Sequence, residues 1–313
     1  MSTIEKSLEK LAAQQRERPT LTDPVAQHQE TLKRPETRSP HIHTKSRTEI
    51  HHFPWNELRK HGILTRDTKR SQLAEEYRQI KRPLLMNIDK KGADIVDNAN
   101  LILVTSALPR EGKTFNAINL AMSIAMERDR TVLLIDGDVA KPTAAKRLGI
   151  QQEAGLLDLV DDSNTKINDV LVKTDLPNLR VLPSGRPHDR ATELLASEKM
   201  ARFMSEFSTR YPDRVVIFDS PPLLLASETA VLSSCVGQIV MVVAAEQTSR
   251  HTANEALALL DPDKIIGLLL NKYRPSLGNR SGSGYGYGYG YGYGHDHPSP
   301  DPDIAQTPQH PAA

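Results

Sequence analysis

A single cysteine, Cys235, stands in 313 residues, so no disulfide can form within the chain. One thiol and no disulfide suit a reducing compartment. Aromatic residues are scarce at 4%, and five of the eight tyrosines crowd between residues 285 and 293. A core must therefore rest on aliphatic side chains. No run of about 18 apolar residues, the length that spans a bilayer, is present. The opening residues, Met1-Ser2-Thr3-Ile4-Glu5-Lys6, lack the apolar stretch of a signal peptide. The expected compartment is the cytoplasm. An excess of charge of one sign is also missing: 40 Lys and Arg face 39 Asp and Glu, a net of +1. A dedicated nucleic-acid binder would carry a basic surplus, so no nucleic-acid partner is expected.

What is present is unevenly distributed. Residues 1–15 read as a short amphipathic helix, with Ile4, Leu8 and Leu11 at helical spacing among charged residues. Residues 16–65 are polar with scattered prolines and read as a linker. Phe53 and Trp55, at its end, would anchor the segment on the domain or contact a partner. Residues 66–274 carry the domain pattern. A helix is expected over about 68–82, then apolar strands alternate with helical stretches. The strands fall at 101–106, 131–136, 179–182, 214–219, 237–244 and 265–271, and the helices at 113–128, 190–209 and 249–260. Such alternation predicts an α/β fold of the P-loop NTPase kind, a mostly parallel sheet flanked by helices. Continuous runs such as Val132-Leu133-Leu134-Ile135 suit parallel strands covered on both faces. Residues 275–313 form a polar tail with a strict Tyr-Gly alternation.

The strand 101–106 runs into Ala107-Leu108-Pro109-Arg110-Glu111-Gly112-Lys113-Thr114, and an apolar helix follows from Phe115. Strand, loop and helix in this order make a phosphate loop. Residues Ala107 to Phe115 are thus the nucleotide-binding candidates. Gly112 lets the backbone approach phosphates, Lys113 can neutralise them, and the Thr114 hydroxyl can ligate Mg²⁺. The usual first glycine is Ala107 here. Two further strands end in carboxylates: Asp136 and Asp138 after the second, Asp219 after Val215-Val216-Ile217-Phe218. In open α/β sheets ligands bind at the strands' carboxyl ends, so all three can converge on the loop. ATP and Mg²⁺ are the implied ligands, with Thr114, Asp138 and Asp219 as metal candidates. Lys113, Asp136, Asp138 and Asp219 are the catalytic ones. Asp136 is the favoured proton acceptor and Asp138 the alternative.

Together these motifs resemble those of bacterial tyrosine kinases, a P-loop family unrelated to eukaryotic protein kinases. The family's pattern is a Walker A loop, an apolar strand ending Asp-x-Asp, a Walker B strand and a tyrosine-rich C-terminus. The corresponding segments here are Ala107–Thr114, Val132–Asp138, Val215–Asp219 and Tyr285–Tyr293, and the resemblance covers about residues 68–294. The segments Ile4–Leu11 and Phe218–Leu224 are similar to the exosortase-associated autokinases of exopolysaccharide operons. The family arginine two residues after the second aspartate is Ala140 here, with Lys141 beside it. Glu75, Arg78 and Lys81 match the family's Glu-x-x-Arg-x-x-Arg helix, with lysine in the last place.

The resemblance implies an ATP-dependent protein tyrosine kinase that assembles with its own copies, possibly as a ring, through that helix. It also implies a separate membrane chain-length-determinant protein that activates the kinase and recruits it to the membrane, and a tyrosine phosphatase. The acceptors are then Tyr285, Tyr287, Tyr289, Tyr291 and Tyr293. A flexible linker of about 17 residues reaches about 23 Å, enough for the chain's own site or a neighbour's. The family favours the neighbour's. A phosphorylated tail would be repelled by Asp136, Asp138 and Asp219, which predicts loss of self-association. A partitioning-type ATPase is the rival reading. It would carry a lysine after the loop's first residue, where Leu108 stands. A non-catalytic scaffold is the third.

Overall fold

The computed structural model describes residues 49–68, 70–92, 96–151, 154–210 and 213–274. The helix expected at 1–15 and the five tail tyrosines lie outside the described residues. In chain order the described elements are α1 (Trp55–Lys60), α2 (Gln72–Ile88), β1 (Leu101–Ser106), α3 (Lys113–Ala125), β2 (Thr131–Asp136), α4 (Ala144–Arg147), α5 (Leu156–Asp161) and α6 (Ile167–Val170). They continue with β3 (Val172–Lys173), β4 (Leu179–Leu182), α7 (Ala191–Leu195), α8 (Glu198–Arg210), β5 (Arg214–Asp219), α9 (Ser227–Cys235), β6 (Gln238–Ala244), α10 (Arg250–Leu257) and β7 (Ile265–Asn271). No helix among the described residues is long and apolar enough to cross a membrane.

The sheet has seven strands in the order β3-β4-β2-β5-β1-β6-β7. Every pairing is parallel except β3 with β4. Side chains alternate across a strand, so each apolar run feeds two cores. Ile102, Val104, Leu134, Ile217 and Val242 enter one core, together with buried residues of α2 and α3. Leu101, Leu103, Ile135, Phe218 and Met241 enter the other, against α5, α7, α8 and α9. Helix α3 is buried almost all round because it lies between the sheet and α2. Its even apolar content follows from that position.

The chain departs from the sequence reading in several places. Phe53, Leu58, Ile63 and Leu64 are buried in the first core, so the end of the expected linker belongs to the domain. His51 N–H donates to Lys173 O and Asp175 N–H to His51 O, and the Trp55 indole N–H donates to Asp175 Oδ2 at 2.8 Å. These bonds fasten the segment beside β3, as Phe53 and Trp55 suggested. Helix α2 runs through Pro83 to Ile88 instead of stopping at residue 82, and Leu84 is buried beyond the proline. The helix expected over 190–209 is two helices. Ser197 separates them: its hydroxyl donates to Leu194 O at 2.7 Å and accepts from Met200 N–H at 3.2 Å.

Candidate functional site

Parallel pairing puts the carboxyl ends of β2, β5 and β1 side by side on one edge. Asp136 pairs in register with Asp219, and Asp219 with Val104. The loop after β1 therefore arches over two strand-end carboxylates. Gly112 caps α3 with φ of +102°, a conformation that favours glycine. A Cβ there would also lie 2.0 Å from Asn271 Nδ2. The first turn of α3 leaves N–H groups without intrahelical partners, as an anion site requires.

The loop is held from both sides. Glu111, almost fully buried, accepts from Leu108 N–H at 2.6 Å and from the Thr248 hydroxyl. Asn271, the last residue of β7, donates to Glu111 O at 2.8 Å, and Lys272 Nζ donates to Arg110 O at 2.6 Å. Neither the bracing role of Glu111 nor the two contacts from β7 is visible in the loop motif, because the partners lie more than 130 residues away.

Lys113 Nζ lies 3.3 Å from Asp138 Oδ2, and the Thr114 and Thr143 hydroxyls are 3.2 Å apart. Asp136 Oδ2 accepts from Ala144 N–H at 2.9 Å and Ala145 N–H at 3.3 Å. Its other oxygen, and both oxygens of fully buried Asp219, have no hydrogen-bond partner. Burial pushes Asp219 up to about 8, and the neighbouring Asp136 adds to the rise. The nearby Thr114 hydroxyl and the Lys113 ammonium oppose the rise without cancelling it. Burial pushes Asp136 up to about 6 against the two backbone donors. Orphaned carboxylate oxygens in a dry setting are costly unless something compensates them. The donor set is all oxygen and suits Mg²⁺, which takes one or two carboxylates, a hydroxyl and phosphate oxygens. Among the described residues the acids do not form a ready three-ligand cluster. A site that shares its ligands with a nucleotide does not need one.

A cleft of about 690 Å³ opens above these groups, walled by the loop, by Lys113, Thr114, Phe115 and Asp138, and by Lys141, Arg147, Asn271 and Lys272. Asp138 faces the cleft, whereas Asp136 and Asp219 lie beneath it. Proton acceptance needs contact with the reacting hydroxyl, so the geometry favours Asp138 over Asp136. Ala107 is buried, and its methyl packs in the second core instead of entering the cleft.

The expected self-association helix is α2. Glu75 and Arg78 pair on its exposed side. Lys81 turns inward and is not offered to another subunit: its ammonium donates to Ser123 O at 2.7 Å and pairs with Glu127 at 2.8 Å. Its placement follows from the helix turn that buries Ala74, Tyr77 and Leu84.

Comparison with known proteins adds independent findings. An AAA domain family model matches residues 110–261. The chain is 30% identical over 224 residues to the tyrosine-protein kinase YwqD of Bacillus subtilis, a match that covers 71% of this chain and 90% of YwqD. It is 30% identical over 182 residues to the tyrosine-protein kinase wzc of Salmonella typhimurium, covering 57% of this chain but only 25% of wzc. The solved kinase domain of VpsO superposes with a TM-score of 0.56 at 28% identity, over 66% of this chain and 98% of that domain.

Proposed function

The chain belongs to the bacterial tyrosine-protein kinases, and from that premise we propose that it phosphorylates Tyr285, Tyr287, Tyr289, Tyr291 and Tyr293 of its own C-terminal segment, between subunits, with ATP and Mg²⁺. The observation that carries the proposal is the cleft itself. It brings Lys113, Thr114 and Asp138 to the mouth of the phosphate loop, with Lys272, thirteen residues before Tyr285, in the same wall.

In this reading the tyrosine Oη attacks the γ-phosphorus, the bond to the β–γ bridging oxygen breaks, and ADP leaves. The phenolic proton passes to Asp138. Free tyrosine titrates near 10, so a positioned base is needed at neutral pH. Before nucleotide arrives, Lys113 is paired with Asp138. A triphosphate is the stronger anion, and drawing Lys113 onto it frees Asp138 for the proton. Thr114 and Asp219 would hold Mg²⁺, with Asp136 steadying the shell. The ion supplies neutralisation of charge on the transferring phosphoryl group.

Self-association would involve the exposed Glu75 and Arg78 of α2. The compartment is the cytoplasm, with recruitment to the membrane through a separate chain-length-determinant protein. The process served is exopolysaccharide synthesis or export, and a tyrosine phosphatase reverses the modification. Lys113→Met should abolish phosphotyrosine on the full chain, read by blotting after incubation with ATP and Mg²⁺, while circular dichroism stays unchanged. Asp138→Asn should cut the rate at saturating Mg²⁺ more than Asp136→Asn does. Near-normal autophosphorylation of Lys113→Met would overturn the assignment.

A further inference from the structure

A second cavity, of about 670 Å³, opens beside the nucleotide cleft and shares Thr143 and Arg147 with it. Pro54, Leu58 and Ile63 supply apolar wall, and Glu57 and Lys146 stand among its polar lining residues. We propose that this cavity receives the ring of the acceptor tyrosine from the Tyr-Gly repeat, residues 285–293. The proposal rests on the kinase reading above and says where its substrate sits.

Four observations carry it. The first is size and chemistry. The volume lies within the range of about 300–1,000 Å³ of small-molecule pockets, room for a phenol together with the glycine-flanked backbone that bears it, and aliphatic walls suit the faces of the ring. The second is position. Thr143 lines both cavities, and its hydroxyl is 3.2 Å from that of Thr114 at the phosphate loop. The two cavities therefore adjoin at Thr143 and Arg147, and a ring seated against that shared edge can extend its phenolic oxygen into the nucleotide cleft.

The third is charge. Lys146 and Arg147 are exposed and form no ion pair with a carboxylate among the described residues. They face a group that becomes anionic on transfer. Glu57, the one acid of the lining, already pairs with Lys60 at 2.8 Å. The fourth is the path of the chain. Lys272 lines the nucleotide cleft, the described residues end at Arg274, and ten residues separate that point from Tyr285. Ten residues can span about 17 Å as a flexible coil and about 33 Å when extended, enough for the repeat of one subunit to enter the cavity of its neighbour. Glycine at every second position leaves each ring unobstructed by a neighbouring side chain, so a single ring can enter a narrow opening.

The test uses the full chain with its five tail tyrosines changed to serine, and a synthetic peptide of residues 281–294 as acceptor. Placing a bulky ring at the mouth from the exposed face of α1, with Glu57→Trp, should raise the KM for peptide roughly tenfold or more while the KM for ATP stays unchanged. The same substitution at exposed Glu206 on α8 should change neither. A peptide with benzoylphenylalanine in place of Tyr289 should crosslink under light to residues 54–63 or 143–149. An unchanged peptide KM in Glu57→Trp, a parallel change in the KM for ATP, or crosslinks confined to other regions would overturn the proposal. The crosslink is readable even if the serine-tailed chain phosphorylates no peptide. A failure of the tail as substrate is thereby told apart from a failure of the cavity.

Discussion

Asp219 shows how a residue chosen for chemistry costs stability. Its carboxylate sits at 0% exposure with both oxygens unpaired. A group whose folded-state pKa lies above its unfolded value binds protons more tightly when folded. Its stabilising effect is therefore complete below the unfolded value near 3.9 and is lost as pH rises through the folded value. For Asp219 that window runs from about 4 up to about 8. Asp219→Asn should therefore raise the melting temperature of the nucleotide-free protein. The gain should grow from about pH 5 to about pH 8 and then level off, as calorimetry can follow. The same variant should lose its Mg²⁺-dependent turnover. A gain that is independent of pH would mean the aspartate is charged or solvated throughout.

Among the elements, the legible ones are those with an uninterrupted apolar run. Val215–Phe218 and Leu101–Val104 can only be strands buried on both faces, and they carry Asp219 and the phosphate loop with them. The hidden ones take their reason from distant partners. Strand β3 is two residues long and exists because Val172 and Lys173 pair with β4. Leu58 and Ile63 read as linker residues because most of their neighbours are polar, yet the surface they cover comes from other parts of the chain. The break at Ser197 went unread within the 190–209 run, because its hydrogen bonds to Leu194 and Met200 show only in the folded chain. Pro83 presents the opposite case, a proline inside a continuous helix. A proline inside a helix removes one hydrogen bond at a cost of about 3 kcal/mol. Here the packing of Leu84, Leu85 and Ile88 offsets it. Pro83→Ala should raise unfolding free energy by about 1–3 kcal/mol in urea titration. A loss of stability would show that a proline-induced bend is needed to seat α2 on α3.

At the scale of the whole molecule, the electrostatic expectation for the tail changes sign. The acidic cluster is not displayed: Asp136 and Asp219 are buried, and Asp138 is paired with Lys113. The exposed charges around the two cavities are Arg110, Lys141, Lys146, Arg147 and Lys272, against a single exposed acid, Glu57, that is paired with Lys60. Five phosphotyrosines would add roughly −8 to −10 charges to the tail and draw it to this rim. Phosphorylated protein should therefore bind ATP more weakly than phosphatase-treated protein. The difference should shrink between about 50 and 300 mM salt as screening shortens. Titration calorimetry on the two forms measures this, and a gap that persists at high salt would exclude competition by charge.

Strand β7 ends against the phosphate loop, where Asn271 and Lys272 hold the carbonyls of Glu111 and Arg110. The tyrosine repeat begins thirteen residues after Lys272 in the same chain. A shift of Asn271 or Lys272 would be passed to the backbone beside Lys113 through these two hydrogen bonds. The end of β7 is thus a strut for the nucleotide site, and whatever displaces it is felt first at the residues that cradle phosphate.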